Sequence, residues 1–177
     1  MMDIVATARH YYELLGHKDI GLTEVRIMAK DKNVQQEIFI SSEDEMLNLL
    51  KDLPQDKDIY VGINPRQERK PAEKSDIKKL TMFVLDIDEP KVPPIEIQKF
   101  LPDNTVMVSS GSGLHAYISI EPIDIVDVDL ATDSRKSLTE HYRHIIVTGG
   151  LARKVDHVHD LTRLMRLPGS TNQKNGK

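Results

Sequence analysis

The chain has 177 residues, of which 39% are hydrophobic and 29% are charged, a composition typical of one soluble domain with a hydrophobic core. No segment approaches the run of about 20 apolar residues that a membrane span needs. The N-terminus also lacks the basic and apolar regions of a signal peptide, so we expect a cytoplasmic protein. The lack of cysteine excludes disulfides and cysteine-based zinc sites within this chain.

Residues 1–57 predict an N-terminal α/β unit. Apolar residues at helical spacing alternate here with short β-type runs. Ser42 and Glu45 have the spacing of a capping box, which marks a helix start. The predicted elements are a helix at Ile4–Leu15 that ends at Gly16, two strands joined by a turn at 30–33, Glu24–Ala29 and Val34–Ile40, and a helix that ends at Pro54.

Residues 58–174 predict a second unit, which is rich in strands. The run Leu80–Ile87 is strongly apolar, as expected for the central strand of a sheet. The basic segment 64–79 lacks a periodic apolar pattern and is interpreted as a mobile loop. The other predicted elements are strands at Asp58–Ile63, Thr105–Val108 and Leu114–Ile120 and helices at Pro94–Phe100 and Leu130–Val147, the last ending at Gly149 and Gly150. Together the two units predict a single domain of the α+β class.

Two carboxylates, Asp86 and Asp88, end the predicted central strand. Side chains two residues apart on a strand project from the same face, and two like charges held together repel unless a cation lies between them. This arrangement favours a divalent metal site, for which Mg²⁺ or Mn²⁺ suits oxygen ligands better than zinc. The alternative is a pair of acids that merely ends a strand and caps the next turn.

A glycine-containing loop, Ser110-Gly111-Ser112-Gly113-Leu114-His115, follows about twenty residues later. Glycine lets a backbone approach a phosphate closely, and His115 adds a hydrogen-bond donor. The alternative is an ordinary glycine-rich hairpin. The loop is neither a P-loop nor a dinucleotide fingerprint, because no Gly-Lys-Ser/Thr follows and the next element is predicted to be a strand.

The third motif lies in segment 155–169. Asp156 is placed to complete a three-carboxylate metal site, and Asp160 is a second candidate for that role. Arg163 and Arg166 are three residues apart, hence on one face if the segment is helical, where they could grip a triphosphate or a nucleic-acid backbone. The alternative is a surface helix with routine salt bridges. Zinc binding by His141, His144, His157 and His159 is disfavoured, because no cysteine or matching acid motif accompanies them.

The net charge of −4 is distributed unevenly along the chain. Residues 66–79 carry a local charge of +3 and residues 151–177 a local charge of +4. Two basic segments on an acidic body are consistent with contacts to a polyanion, although solvated loops would give the same pattern.

The order and spacing of these motifs resemble the catalytic core of the archaeo-eukaryotic primase superfamily. The resemblance is carried by Asp86-x-Asp88, then Ser110-Gly111-x-Gly113-Leu114-His115, then an acid followed by Arg163-x-x-Arg166-x-Pro168-Gly169-x-x-Asn172-x-Lys174. It extends from about Ile59 to Lys174, including the turn Asn64-Pro65-Arg66. The motifs look most like those of the primase-polymerases of plasmids, phages and other mobile genetic elements.

The resemblance implies a catalytic module built on an RNA-recognition-like sheet and packed with an N-terminal α/β unit. It implies two divalent metal ions, Mg²⁺ or Mn²⁺, bound by Asp86, Asp88 and Asp156. It further implies contacts to the triphosphate of an incoming nucleotide from Ser110, Gly111, Gly113, His115, Arg163 and Arg166.

The activity implied is that of a DNA primase or DNA polymerase, a template-dependent nucleotidyltransferase that makes or extends primers on single-stranded DNA. Its partners would be template, primer and a nucleoside triphosphate, and larger relatives continue into a helical domain or a helicase. Two alternatives remain open: an inactive replication-initiation or nucleic-acid-binding module of the same fold, and a metal-dependent phosphohydrolase or nuclease.

Overall fold

A computed structural model describes residues 4–29, 33–51, 54, 56–71 and 73–170. Its helices are α1 (Ile4–Leu15), α2 (Glu43–Lys51), α3 (Pro94–Gln98) and α4 (Val128–Arg143), with a short 3₁₀ turn at Lys74–Asp76 and a π-helical turn at His144–Thr148. Its strands are β1 (Thr23–Met28), β2 (Val34–Ile40), β3 (Asp58–Gly62), β4 (Lys79–Pro90), β5 (Thr105–Ser109), β6 (Gly113–Asp124), β7 (Ala152–Asp156) and β8 (Leu164–Arg166). The predicted α+β class is confirmed.

The described strands form two four-stranded sheets with the orders β2-β1-β3-β8 and β5-β6-β4-β7. Every pairing between these strands is antiparallel. The first sheet combines β1 and β2 of the N-terminal segment with β3 and β8 of the later one. The two units predicted from the sequence therefore share a sheet.

Strand β4 lies inside the second sheet and contributes to two cores, because alternate side chains point to opposite faces. Met82 and Val84 pack into one core with the first sheet and helices α1 and α2. Phe83, Leu85 and Ile87 pack into the other, beside α3 and the π-helical turn. Burial on both faces explains the continuous apolar run of this strand.

Segment 64–79 is not a mobile loop at its start. Asn64 and Arg66 are fully buried, and the Arg66 guanidinium is ion-paired with the buried carboxylate of Glu24. The backbone of Arg66 also bonds in both directions with Leu22. Arg66 therefore belongs to the protein interior and cannot contact a nucleic acid. Residues 67–70, in contrast, are exposed.

The helix boundaries agree with the sequence in most places. Gly16, at φ +65°, follows α1, and Gly150, at φ +73°, follows the π-helical turn. The capping box is only half formed, since Ser42 Oγ accepts a hydrogen bond from the Glu45 amide but Glu45 reaches back to Ser41. Residues 30–32 of the predicted turn, residues 52 and 53 before Pro54, and Asn172 and Lys174 of the third motif lie outside the described residues. None of the helices in the described part of the chain has the length and hydropathy of a membrane span.

Candidate active site

Three of the predicted site residues lie in one row across three adjacent strands. On β4, Asp86 is directly opposite His115 of β6 and directly opposite Asp156 of β7. Directly opposed residues of antiparallel strands project from the same face. This is the face that carries Met82 and Val84 further along β4, so the row lies where the core between the two sheets gives way to polar residues.

Asp88 lies one step further along β4 on the same face. Its cross-strand partners are Gly113 and Lys154. A Cβ atom at position 113 would collide with the Ile87 carbonyl oxygen and lie 3.3 Å from Asp88 Oδ1. Gly113 is therefore required so that β6 can approach the second carboxylate closely.

The electrostatics of the row are dominated by Asp86. Burial, and then the charges of Asp88 and Asp156, raise the pKa of Asp86 from 3.8 to about 6. Arg163 and Lys154 act in the opposite direction. The ammonium of Lys154 contacts the Asp156 carboxylate. The charges of Asp88 and Asp156 thus disfavour the charged form of Asp86, an effect that a bound cation would relieve.

His115 is buried and lies beside Asp86, with Nε2 3.6 Å from Asp86 Oδ1. Burial, reinforced by the charge of Arg166, lowers the pKa of His115 from 6.5 to about 4. The ring is therefore neutral near pH 7. Its Nδ1 atom lies 3.3 Å from the hydroxyl of Tyr117, a residue that the sequence analysis did not select.

The glycine loop forms a compact turn between β5 and β6. Ser110 Oγ accepts a hydrogen bond of 3.1 Å from the Gly113 amide, and the Ser110 amide donates to the Gly113 carbonyl at 3.0 Å. Gly111 has φ +95°, a conformation that other residues rarely adopt. The predicted hairpin is confirmed, and its tip faces the same cleft as the carboxylates.

Arg163 and Arg166 do not lie on a helix, so the helical condition under which their spacing would place them on one face is not met. Arg163 precedes β8 and Arg166 ends it, yet both side chains line one cleft with Asp86 and Asp88. Arg163 donates to the His157 carbonyl oxygen at 3.1 Å. The sheet register, rather than a helix face, brings the arginines to the site.

Arg166 is held by two residues of β3 that the sequence analysis missed. Its guanidinium contacts the Asp58 carboxylate, donates to the Tyr60 hydroxyl at 3.0 Å and lies 5.0 Å from the centre of the Tyr60 ring. Tyr60 is the direct cross-strand partner of Arg166. An acid and a tyrosine at alternate positions of β3 are the signal in the sequence that could have suggested a polar face.

The loop 157–163, which joins β7 to β8, is fixed by three buried side chains, two from the turn at 64–66 and one from α4. Asn64 donates to the Leu161 carbonyl at 2.9 Å, Arg66 to the Thr162 carbonyl at 3.1 Å, and Arg135 to the His159 carbonyl at 3.2 Å. This bracing holds the backbone from which Arg163 projects. The turn Asn64-Pro65-Arg66 therefore supports the site from inside.

The site opens into two adjoining clefts. One, of about 240 Å³, is lined by both acids of β4, the glycine loop, His115 and the two arginines. The other, of about 400 Å³, runs from Ser109, Ser110 and Gly111 to Pro168, Gly169 and Ser170, with His115 and Arg166 on the shared wall. A polyanionic ligand that spans them would meet the glycine loop on one side and arginine on the other.

The two candidates for the third acid lie in different surroundings. Asp156 lies in the row with Asp86. Asp160 instead accepts hydrogen bonds from the amide and hydroxyl of Thr162, at 3.1 and 3.0 Å. Those bonds lower the pKa of Asp160 although its partial burial opposes them. Asp160 therefore stabilises its own turn.

The donor set fits a hard divalent cation, although the side chains are not arranged around one. Asp86 and Asp88 line the cleft, and Asp156 lies opposite Asp86 on the neighbouring strand. Carboxylate oxygens are the ligands that Mg²⁺ and Mn²⁺ prefer. In the described residues, no three His, Asp or Glu side chains converge closely enough to hold a metal ion. The Asp156 carboxylate would have to turn away from the Lys154 ammonium to bind the same ion as Asp86 and Asp88.

The overall fold is similar to two solved polymerase domains. One is the AEP (archaeo-eukaryotic primase) domain of a primase-polymerase from cyanophage S-2L, with a TM-score of 0.63, 17% identity, and coverage of 97% of this chain and 85% of that one. The other is the polymerase domain of Mycobacterium tuberculosis Ligase D in complex with DNA, with a TM-score of 0.50, 17% identity, and coverage of 99% and 76%. No protein-family model matches the sequence, and no curated protein sequence matches it significantly.

The chain has the archaeo-eukaryotic primase fold. The resemblance inferred from the order of the motifs is thereby confirmed at the level of the fold. Both similar structures are polymerase domains.

Proposed function

We propose that this protein is a template-dependent nucleotidyltransferase that makes or extends primers on single-stranded DNA. The observation that carries the proposal is the row Asp156–Asp86–His115 at the mouth of a cleft that is also lined by the glycine loop and two arginines. The primase fold is consistent with this chemistry.

Asp86, Asp88 and Asp156 are the residues that would hold Mg²⁺ or Mn²⁺. Such ions neutralise the charge of a triphosphate and acidify a primer hydroxyl. The part of the carboxylates is to hold negative charge at one edge of the cleft and to orient what binds there. Little covalent work is left for side chains in phosphoryl transfer, so the protein contributes mainly by positioning and by charge stabilisation.

The nucleotide would occupy the cleft between the glycine loop and β8. The backbone at Gly111 and Gly113 can approach phosphate oxygens without obstruction by a side chain. The serine and histidine of the same motif, Ser110 and His115, add hydrogen-bonding groups. Arg163 and Arg166 lie on the facing wall, where a guanidinium can bind phosphate in a bidentate manner.

Template and primer would contact exposed basic residues of the loop before β4 and of β7. Arg69, Lys70, Lys74 and Lys78 are exposed in the loop before β4, and Arg153 and Lys154 are exposed on β7. Arg66 is excluded from this set, because it is buried. Contacts of this kind make affinity for single-stranded DNA fall with salt concentration.

The direct test is nucleotide incorporation on primed and unprimed single-stranded DNA, with labelled ribo- or deoxynucleotides and Mg²⁺ or Mn²⁺. We expect new or extended strands from the wild type, and a loss of at least about a hundredfold in Asp86→Asn and Asp156→Asn. Asp133→Asn, which changes an exposed acid of α4, is the matched control and should retain full activity.

Two other outcomes of this experiment would indicate a different function. DNA binding without incorporation under all conditions would identify an inactive binding module. Shortened DNA that depends on Asp86 would identify a nuclease. Either result overturns the proposal.

A further inference from the structure

Tyr117 is the next residue after His115 on the same face of β6. Side chains at positions i and i+2 of a strand share a face, and the Tyr117 hydroxyl lies 3.3 Å from His115 Nδ1. Tyr117 is completely buried. Its hydroxyl therefore has to be satisfied by neighbouring protein groups, and His115 is one of them.

The second neighbour of this hydroxyl is Tyr11 of α1. Tyr11, also buried, donates a long hydrogen bond of 3.5 Å to the Tyr117 oxygen, and the two rings meet edge to face with centroids 5.4 Å apart. The Tyr117 hydroxyl thus lies between the Tyr11 hydroxyl and Nδ1 of His115, to which it can donate its proton. Burial raises the pKa of Tyr117 well above 10, so this hydroxyl remains a donor near neutral pH.

The direction of these bonds decides which ring nitrogen of His115 carries hydrogen. If Nδ1 accepts from Tyr117, a neutral ring must carry its proton on Nε2. Nε2 is the atom that faces Asp86 and the cleft. With the opposite tautomer, a lone pair would face the phosphate oxygens of a nucleotide and repel them.

We propose that Tyr117 is a positioning residue that holds the His115 ring with Nε2–H directed to an oxygen of the bound triphosphate. The inference rests on the proposed function for the identity of the ligand. The hydrogen bond between Tyr117 and His115 is a property of the protein alone, so it can be tested separately.

The first test is the ¹⁵N NMR signature of the His115 ring at pH 7.5 in the presence of Mg²⁺, assigned by its loss in His115→Gln. In the wild type we expect hydrogen on Nε2 and a hydrogen-bonded, unprotonated Nδ1. In Tyr117→Phe the Nδ1 resonance should move to the position of an unbonded nitrogen. Tyr142→Phe, which removes the hydroxyl of a partly exposed tyrosine on α4, should leave both resonances unchanged. Hydrogen on Nδ1 in the wild type, or no shift in Tyr117→Phe, overturns the proposal.

The second test is a double-mutant cycle on nucleotide incorporation. We expect Tyr117→Phe to raise KM for the nucleotide about tenfold, because a hydrogen bond to a charged group is weakened, with a smaller change in kcat. In the His115→Gln background the same substitution should have no further effect on KM. Additive effects would show that Tyr117 acts only by stabilising the fold. A protein with no incorporation activity but with the expected NMR shifts would refute the proposed function and not the hydrogen bond.

Discussion

Asp86 and Asp156 are directly opposed on neighbouring antiparallel strands, although one lies near the middle of the sequence and the other near its end. Like charges directly opposite each other destabilise a sheet. Asp88, on the same face, adds a third negative charge. The fold therefore holds three negative charges close together, and their repulsion lowers the stability of the protein when no cation is bound.

The first prediction concerns this repulsion. In the presence of EDTA at pH 8, Asp86→Asn should raise the free energy of unfolding. The pKa of Asp86 is about 6 in the folded protein instead of 3.8, which corresponds to up to about 3 kcal/mol. Because the folded pKa is the higher one, the destabilisation is absent below pH 4 and develops as the pH rises through 6.

Urea denaturation of the wild type and the variant measures this difference. Asp133→Asn, on the exposed side of α4, should change the unfolding free energy by less than about 0.5 kcal/mol. Adding Mg²⁺ should stabilise the wild type and not Asp86→Asn. A variant less stable than the wild type in EDTA would contradict the account of the site.

The second prediction concerns Arg163. Its replacement by glutamine should raise KM for the nucleotide by about tenfold to a hundredfold, because a charge-assisted bond to phosphate is lost. Affinity for single-stranded DNA should change much less. Arg143→Gln, which removes an exposed arginine paired with Glu140 on α4, is the control. Fluorescence anisotropy for DNA and steady-state kinetics for nucleotide separate the two effects, and a selective loss of DNA affinity in Arg163→Gln would assign the residue to the template.

The third prediction concerns the buried pair of Glu24 and Arg66. Arg66→Met should lower the free energy of unfolding by about 3 kcal/mol, because the buried Glu24 carboxylate would lose one of its two arginine partners and keep only Arg26. The double variant Glu24→Gln/Arg66→Met should recover much of that loss. Lys70→Met, in the exposed part of the same loop, should be close to neutral. If Arg66→Met instead lowered affinity for DNA at unchanged stability, the interior role of Arg66 would be refuted.

The fourth prediction is a pH dependence caused by His17. This buried ring contacts Thr23 Oγ1 at 2.9 Å and the Ile63 carbonyl oxygen at 3.2 Å, and burial lowers its pKa from 6.5 to about 4. The unfolded state then binds more protons than the folded state, so stability falls as the pH drops from 6.5 to 4, by about 3 kcal/mol in total.

His17→Gln should flatten the dependence on pH in this window while leaving other groups to titrate as before. The measurement is the free energy of unfolding by urea at half-unit pH steps, for both proteins. Equal slopes between pH 4 and 6.5 would exclude His17 as the source.

The sequence was sufficient to predict the elements with strong local patterns. The run before Asp86 identified β4, and the period of two placed Asp86 and Asp88 on one face. The glycine loop identified the hairpin of β5 and β6. In these cases the residues that determine the structure are neighbours in the chain, so composition and period carry the information.

The elements that were missed depend on distant partners. Strands β7 and β8 contain five and three residues, too few for a recognisable period, and they form by pairing with β4 and β3. The role of Arg66 was likewise hidden, because nothing near it in the sequence indicates that Glu24 lies across the sheet. Tyr117 was missed for another reason: a tyrosine in an apolar strand is usually only a core residue.

Strand β7, which carries Asp156, lies at the outer edge of its sheet in the described structure. An edge strand is bonded to the rest of the sheet on one side only, so β7 can separate without breaking the pairing between β4 and β6. Without a divalent ion, amide hydrogens on β7 should exchange with solvent faster than those on β4, and adding the ion should slow them. A bound metal ion would then stabilise the pairing of the edge strand β7 with β4.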